Sequence, residues 1–112
     1  MPAYAVAHLN SVRMGPDIVR YLERIDATLA PFGGRFIIHG THVVAAPEGD
    51  WPGDLIVIEF PDREHATSWY ASDAYQEILP LRTRNAEGLA IILDGVSPDH
   101  RATDVLDPAS AA

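Results

Sequence analysis

The chain has 112 residues, of which 47% are apolar and 21% charged, a balance that suits one globular domain with a modest core. Sixteen acidic residues face eight basic ones, all Arg, for a formal net charge of −8, which argues against a nucleic-acid groove or an anionic membrane surface as partner. Cysteine is absent, so a disulfide framework, a thiolate nucleophile and cysteine-ligated metals are excluded. The composition fits a cytoplasmic protein. The first ten residues, MPAYAVAHLN, lack the basic and long apolar regions of a secretory signal. No apolar run approaches the roughly 18–20 residues of a spanning helix.

Residues 3–10, AYAVAHLN, read as a first strand in which Tyr4, Val6 and His8 alternate with Ala5, Ala7 and Leu9. Both faces are mostly apolar, as in a strand covered on both sides. Gly15-Pro16-Asp17 opens a helix, since proline suits the first turn and an acidic side chain suits its positive end. Ile18, Tyr21, Leu22, Ile25 and Leu29 then form one apolar stripe. Pro31 and Gly33-Gly34 stop it.

RFIIH, residues 35–39, is the second strand. Gly40 breaks it, and residues 41–46, THVVAA, are expected to continue it past a bulge. A turn-rich loop over 47–53 leads to DLIVIEF, residues 54–60, the third strand. The loop is too short for a crossover helix, so the second and third strands pair antiparallel. Pro61-Asp62 begins a second helix with Asp62 as N-cap and His65 at N3. Ala66, Trp69 and Tyr70 form its buried stripe. Ser72-Asp73 caps a short helix over about 74–79, ended or kinked by Pro80. LAIIL, residues 89–93, is the fourth strand. From Ser97 onward periodicity is lost, and residues 97–112 read as a tail, extended, partly disordered or laid along a partner subunit, after a domain of residues 1–96.

The order βαββαβ defines an α+β, ferredoxin-like fold: a four-stranded antiparallel sheet with two helices on one face. The opposite face, carrying alternate residues of strands apolar on both sides, would be a large exposed apolar patch in a monomer. A homodimer with the two sheets face to face resolves it.

Four segments occur in a telling order: GGR (33–35), EGDW (48–51), EFP (59–61) and WYASDAYQEILPLR (69–82). Together they resemble the bacterial family catalogued as domain-of-unknown-function family 1330, over nearly all of the chain except its tail. That family resembles the dimeric α/β barrel superfamily, which also holds cofactor-free monooxygenases and muconolactone isomerases. The resemblance implies a ferredoxin-like fold and a homodimer, and supplies no reaction. The family's recurring positions fall here on Gly33, Gly34, Glu48, Gly49, Glu59, Phe60, Trp69, Tyr70, Ser72, Tyr75 and Arg82. Where the family commonly reads Ser-Pro-Glu-Tyr, this chain has Ser72-Asp73-Ala74-Tyr75.

Candidate chemistry is carried by ionisable residues on otherwise apolar elements. Arg82, just past Pro80, is suited to hold a carboxylate or enolate bidentately, or else to close a salt bridge with Glu59 or Glu77. Glu59 ends an apolar strand and needs solvent, a cleft or a cation. His8 and His39 are the candidate general bases, against the alternative of satisfied core or cleft histidines. His39 and His42 flank Gly40 at an odd separation, which puts them on opposite faces unless a bulge intervenes, and no third metal ligand accompanies them. Tyr70 and Tyr75, with Trp69, read as an aromatic cover of the sheet, with a tyrosine hydroxyl free to donate to a substrate oxygen. Trp51 is a lid or a dimer contact.

No phosphate-loop or nucleophile-elbow spacing is present, and no motif demands a cofactor. Two functions stand: a cofactor-free enzyme acting on a small, partly apolar, anionic or enolisable substrate through His8, His39, Glu59 and Arg82, with Tyr75, Trp51 and Tyr70 binding it; or a non-catalytic dimeric small-molecule-binding or accessory module. Arg82 and His8 on opposite sides of the molecule would break the first constellation.

Overall fold

The computed structural model describes residues 1–40 and 42–106. The strands are β1 (Ala3–Val12), β2 (Arg35–Gly40), β3 (Asp54–Phe60) and β4 (Ala86–Asp94), and the helices are α1 (Pro16–Leu29), α2 (Arg63–Ala71) and α3 (Asp73–Thr83). The strands form one antiparallel sheet in the order β2-β3-β1-β4. The helices cover one face of it, and the expected α+β ferredoxin-like architecture is the one found.

The core is where the helix stripes meet that face. Tyr21, Ile25 and Leu29 of α1, Ala66 and Trp69 of α2, and Tyr75 and Ile78 of α3 pack on Ala3, Ile58 and Phe60. α1 ends in a short 3-10 turn, Ala30–Phe32, and Gly33 closes it at φ 68° with its N–H on the Ala30 carbonyl. Asp62 caps α2 by accepting from the His65 N–H at 2.8 Å. Ser72 caps α3 through its Oγ, which accepts from the Tyr75 N–H at 3.3 Å.

Four elements differ in their bounds from expectation. Residues 42–46 carry no strand, so the second strand does not continue past Gly40; its φ of 103° turns the chain away from the sheet instead. Thr41, part of that expected continuation, lies outside the described residues. α3 does not stop at residue 79 but runs through Pro80 to Thr83. A proline forfeits one backbone hydrogen bond, yet the turn after it is well satisfied: the Arg84 N–H donates to Pro80 O at 3.1 Å, and the Asn85 side chain donates to Leu81 O at 2.8 Å. Arg82 is therefore helical. β1 and β4 are also longer than expected, because a bulge between Leu9 and Ser11 lets their pairing resume at Ser11↔Glu87. Of the expected tail, residues 102–106 form a 3-10 helix, and residues 107–112 lie outside the described residues.

Register assigns every strand residue to a face. The helix side carries the rows Phe36–Ile58–Ala5–Ile92 and His39–Ile56–Ala7–Ala90. The open side carries Arg35–Glu59–Tyr4–Leu93, Ile38–Val57–Val6–Ile91 and Gly40–Leu55–His8–Leu89.

Candidate functional site

The helix-side rows change character along the sheet. At the end where β1 starts, Phe60, Ile58 and Ala3 meet Trp69, Leu29 and Ile78, and packing is complete. Toward the other end the floor beneath α1 consists of Ala7 opposite Ala90, then Leu9 opposite Gly88. Ala7, Ala90 and Gly88 fill little of the space beneath α1, and what remains is a cavity of about 510 Å³. Interiors rarely hold voids larger than a water molecule, so a space of this size is of the kind that takes a small ligand. Its walls are apolar: Ile18, Leu22 and Ile25 above, Ile56, Ile58 and Phe36 below. The polar exceptions are Tyr21, Tyr70, Tyr75, Arg82, His39 and Asp54.

Three of these form one cluster. The Tyr21 and Tyr75 hydroxyls share a buried hydrogen bond of 2.8 Å. The Arg82 guanidinium carbon stands 6.0 Å from the Tyr21 ring centroid, within cation–π range. Helical periodicity explains the meeting: Tyr75 and Arg82 are seven residues apart, two turns on one face of α3, and that face packs on α1.

The cluster is held from behind. Tyr75 packs on Trp69 at a centroid distance of 4.1 Å and on Tyr70 at 5.4 Å. Trp69 donates its indole N–H to Thr28 Oγ1 at 3.0 Å, and Thr28 donates to Ile25 O at 2.6 Å. The Trp69 and Thr28 donors both have acceptors, which fixes the Trp69 plane and through it Tyr75.

Burial pushes the Tyr21 hydroxyl far above the ordinary phenol range, with Tyr75 adding to the effect, so it is a proton donor and not a base at neutral pH. Burial also works against the charge of Arg82, but the Tyr75 and Tyr21 hydroxyls more than offset it and its pKa stands above the usual guanidinium value. Among the described residues Arg82 makes no ion pair with a carboxylate: Glu77 pairs with Arg24 at 3.5 Å, and Glu59 with Arg35 at 2.9 Å.

The residues singled out from the sequence thus divide between the two sides of the sheet. Arg82, Tyr75, Tyr70 and His39 line the cavity. Glu59 and His8 lie on the open face, so the expected Glu59–Arg82 pair is not formed and His8 does not meet Arg82. Glu59 is instead gripped by Arg35 through Nε and Nη2, at 3.1 and 2.9 Å, with the Tyr4 hydroxyl at 3.4 Å. His8 donates from Nε2 to the Pro52 carbonyl at 2.6 Å and lies 5.0 Å from the Trp51 ring, which places Trp51 on the open side as well. His39 reaches the cavity because the register slips between Phe36 and Ile38; the bulge comes before the histidine and not at Gly40. His39 and Phe36 thereby share a face and stack at 4.3 Å. Among the described residues no three His, Asp or Glu side chains gather as metal ligands do. Tyr21 was legible only as one member of an apolar stripe, and the alanine floor carried no signal in a strand apolar on both faces.

A ferredoxin-like sheet with a helix-side cavity ending in a Tyr–Tyr–Arg cluster is the class these observations define. The chain belongs to the family described as Domain of unknown function (DUF1330), whose model matches residues 2–96. Among solved structures, a protein of unknown function from Rhodopseudomonas palustris is similar with a TM-score of 0.59 at 15% identity, over 87% of this chain and 84% of that one. A dimeric ferredoxin-like protein of unknown function from Thermobifida fusca YX gives 0.59 at 10% identity, over 85% and 92%. SnoaB, a cofactor-independent oxygenase from Streptomyces nogalater, gives 0.52 at 9% identity, over 89% and 96%. Likeness at these identities is likeness of fold. None of the curated proteins compared matches the chain.

Proposed function

We propose that this protein is a homodimer that binds a small, mostly apolar molecule in the helix-side cavity of each subunit and acts on it without a cofactor. One observation carries the reading: a cavity of about 510 Å³ with apolar walls that ends on Arg82, a guanidinium with no carboxylate partner among the described residues. Its partners are neutral hydroxyls, so its charge has no counterion there, and a ligand oxygen anion supplies one. His39, exposed on the edge strand β2, is the imidazole among the lining residues and the group assigned to proton movement. SnoaB, a cofactor-independent oxygenase on a similar fold, supports chemistry of this kind by analogy.

The homodimer rests on the open face. Leu89, Ile91 and Leu93 are 63%, 52% and 44% exposed there. The row Ile38–Val57–Val6–Ile91 makes the apolar surface continuous across all four strands. The Thermobifida fusca neighbour is described as dimeric. His8, Trp51 and the Glu59–Arg35 pair belong to this face and are assigned to the dimer contact.

A specific observation favours a second reading, a binding or accessory module without catalysis. Burial holds Tyr21 protonated and Arg82 stays a cation, so neither of these two supplies a base. The test is a thermal-shift screen with small carboxylates, phenols and enolisable ketones on the parent, Arg82→Gln and His39→Ala proteins. A shift in the parent that is lost in Arg82→Gln supports the cavity. Hydrogen–deuterium exchange at the α-carbon of a bound ketone, abolished in His39→Ala, supports the enzyme. Binding without exchange moves the assignment to the module. No shift with any compound overturns both.

A further inference from the structure

The polar end of the cavity also restricts what charge its ligand carries, a point that rests on the cavity being the ligand site. Two phenol groups that share one hydrogen bond use one of their two O–H groups and leave the other free. A guanidinium adds up to five N–H donors and no acceptor. The Arg82 guanidinium hydrogen-bonds both hydroxyls and so engages their oxygens as acceptors, and what the cluster has left to offer a ligand is chiefly hydrogen-bond donors. We propose that the ligand is a monoanion held in its ionised form: one carboxylate, enolate or phenolate oxygen seated between Arg82 and the hydroxyl left free by the Tyr21–Tyr75 pair, with an apolar body over the Ala7–Ala90 floor.

The charge count follows from the same residues. Tyr21 stays neutral, because burial opposes its ionisation, and its bond to Tyr75 joins two hydroxyls and not a charge pair. The cluster is thus worth one positive charge, and Asp54, the carboxylate that also lines the cavity, opposes a second negative charge on the ligand. A monoanion cancels the positive charge, a neutral ligand leaves it unpaired, and a dianion carries a second charge against walls of isoleucine and leucine. The formal net charge of −8 on the chain adds a general repulsion of anions that grows with their charge. A weak acid entering this site is stabilised as its conjugate base, with its proton released to solvent or to His39. Its acid dissociation therefore shifts toward lower pH on binding.

Two probes separate this inference from the reading beneath it. Calorimetric titration with 2-naphthoate and with its neutral isostere 2-naphthamide should give binding at least about tenfold tighter for the carboxylate, as expected when a charge-assisted pair is made in one and not the other. In Arg82→Gln the preference should fall to less than about threefold, with the amide unaffected. Should Arg82→Gln fail to fold, Arg82→Met serves: it keeps the apolar stem, removes the charge and should lower the carboxylate preference in the same way. In a second titration, 4-nitrophenol held one pH unit below its midpoint in water should acquire the absorbance of its phenolate on binding the parent protein. An amide that binds as well as the carboxylate, or 4-nitrophenol that binds without ionising, overturns the monoanion inference and leaves the cavity reading intact. Failure of all three probes to bind overturns both.

Discussion

Replacing Ala7 by Leu tests the cavity by the sign of its effect. Ala7 sits at the centre of the floor, opposite Ala90 on β4 and Ile56 on β3, facing the underside of α1. The substitution adds three carbons. Fully desolvated, they would contribute about 0.8 kcal/mol each, at most about 2.4 kcal/mol in all. The cavity opens to solvent, so about half that figure, roughly 1 kcal/mol, is the expected gain, and it raises the melting temperature of a domain this size by about 4 °C or more. In a closely packed interior the same three carbons would be overpacked and would cost about 1–3 kcal/mol. Thermal unfolding with a parallel urea titration reads the difference directly, and the urea slope shows whether the unfolded reference has moved. Stabilisation together with loss of 2-naphthoate binding is the expected result. A melting temperature lower by several degrees would refute the reasoning, because it would mean that the space beneath α1 is already filled.

Thr28→Val should lose about 1–3 kcal/mol in chemical denaturation, since it leaves the indole N–H of Trp69, 2% exposed, without its acceptor. The same variant should broaden the Tyr75 ring signals in an NMR spectrum, because Trp69 no longer has a fixed plane against them. Leu89→Glu on the open face should give a monomer in size-exclusion chromatography with light scattering and keep the cavity's ligand binding; an unchanged dimer would place the contact elsewhere. Arg63 hydrogen-bonds Asp94 and holds its carboxyl below the ordinary carboxylate range. A depressed folded-state value means a contribution present above about pH 4 and lost as the pH falls through that lower value. Asp94→Asn should therefore flatten the acid side of the stability curve and leave its neutral side nearly unchanged in slope.

What the sequence disclosed and what it concealed divide along one physical line. Element order was legible because the stripe Ile18, Tyr21, Ile25, Leu29 has helical period, and because Pro61-Asp62 and Ser72 mark helix starts by residues whose side chains do cap. Which side of each strand faces the helices was not legible. Alternation reports a face only when one side is polar, and in AYAVAHL both sides are apolar. Glu59 and Arg82 are individually conspicuous, yet their pairing depends on that unreadable parity, and register sends Glu59 to Arg35. The face of His39 was equally unreadable: an odd spacing ordinarily puts Phe36 and His39 on different faces, and one bulged residue reverses that. The cavity itself is made by small side chains, Ala7, Ala90 and Gly88, and small residues have no chemical signature until register sets them opposite one another. Pro80 is a different case, a local rule overridden by the packing of the turn that follows it.

The central claim is that a small anion lodges under α1 against Arg82. The most direct measurement is a methyl and guanidinium NMR titration of the isotope-labelled protein with 2-naphthoate. The account predicts that saturable shift changes concentrate on Ile18, Ile25, Ile56 and Ile92 and on the Arg82 Nε–H, with Leu89, Leu93 and Val57 on the open face unmoved. Changes confined to Leu89, Leu93 and Val57, or no saturable change at any residue, would contradict it.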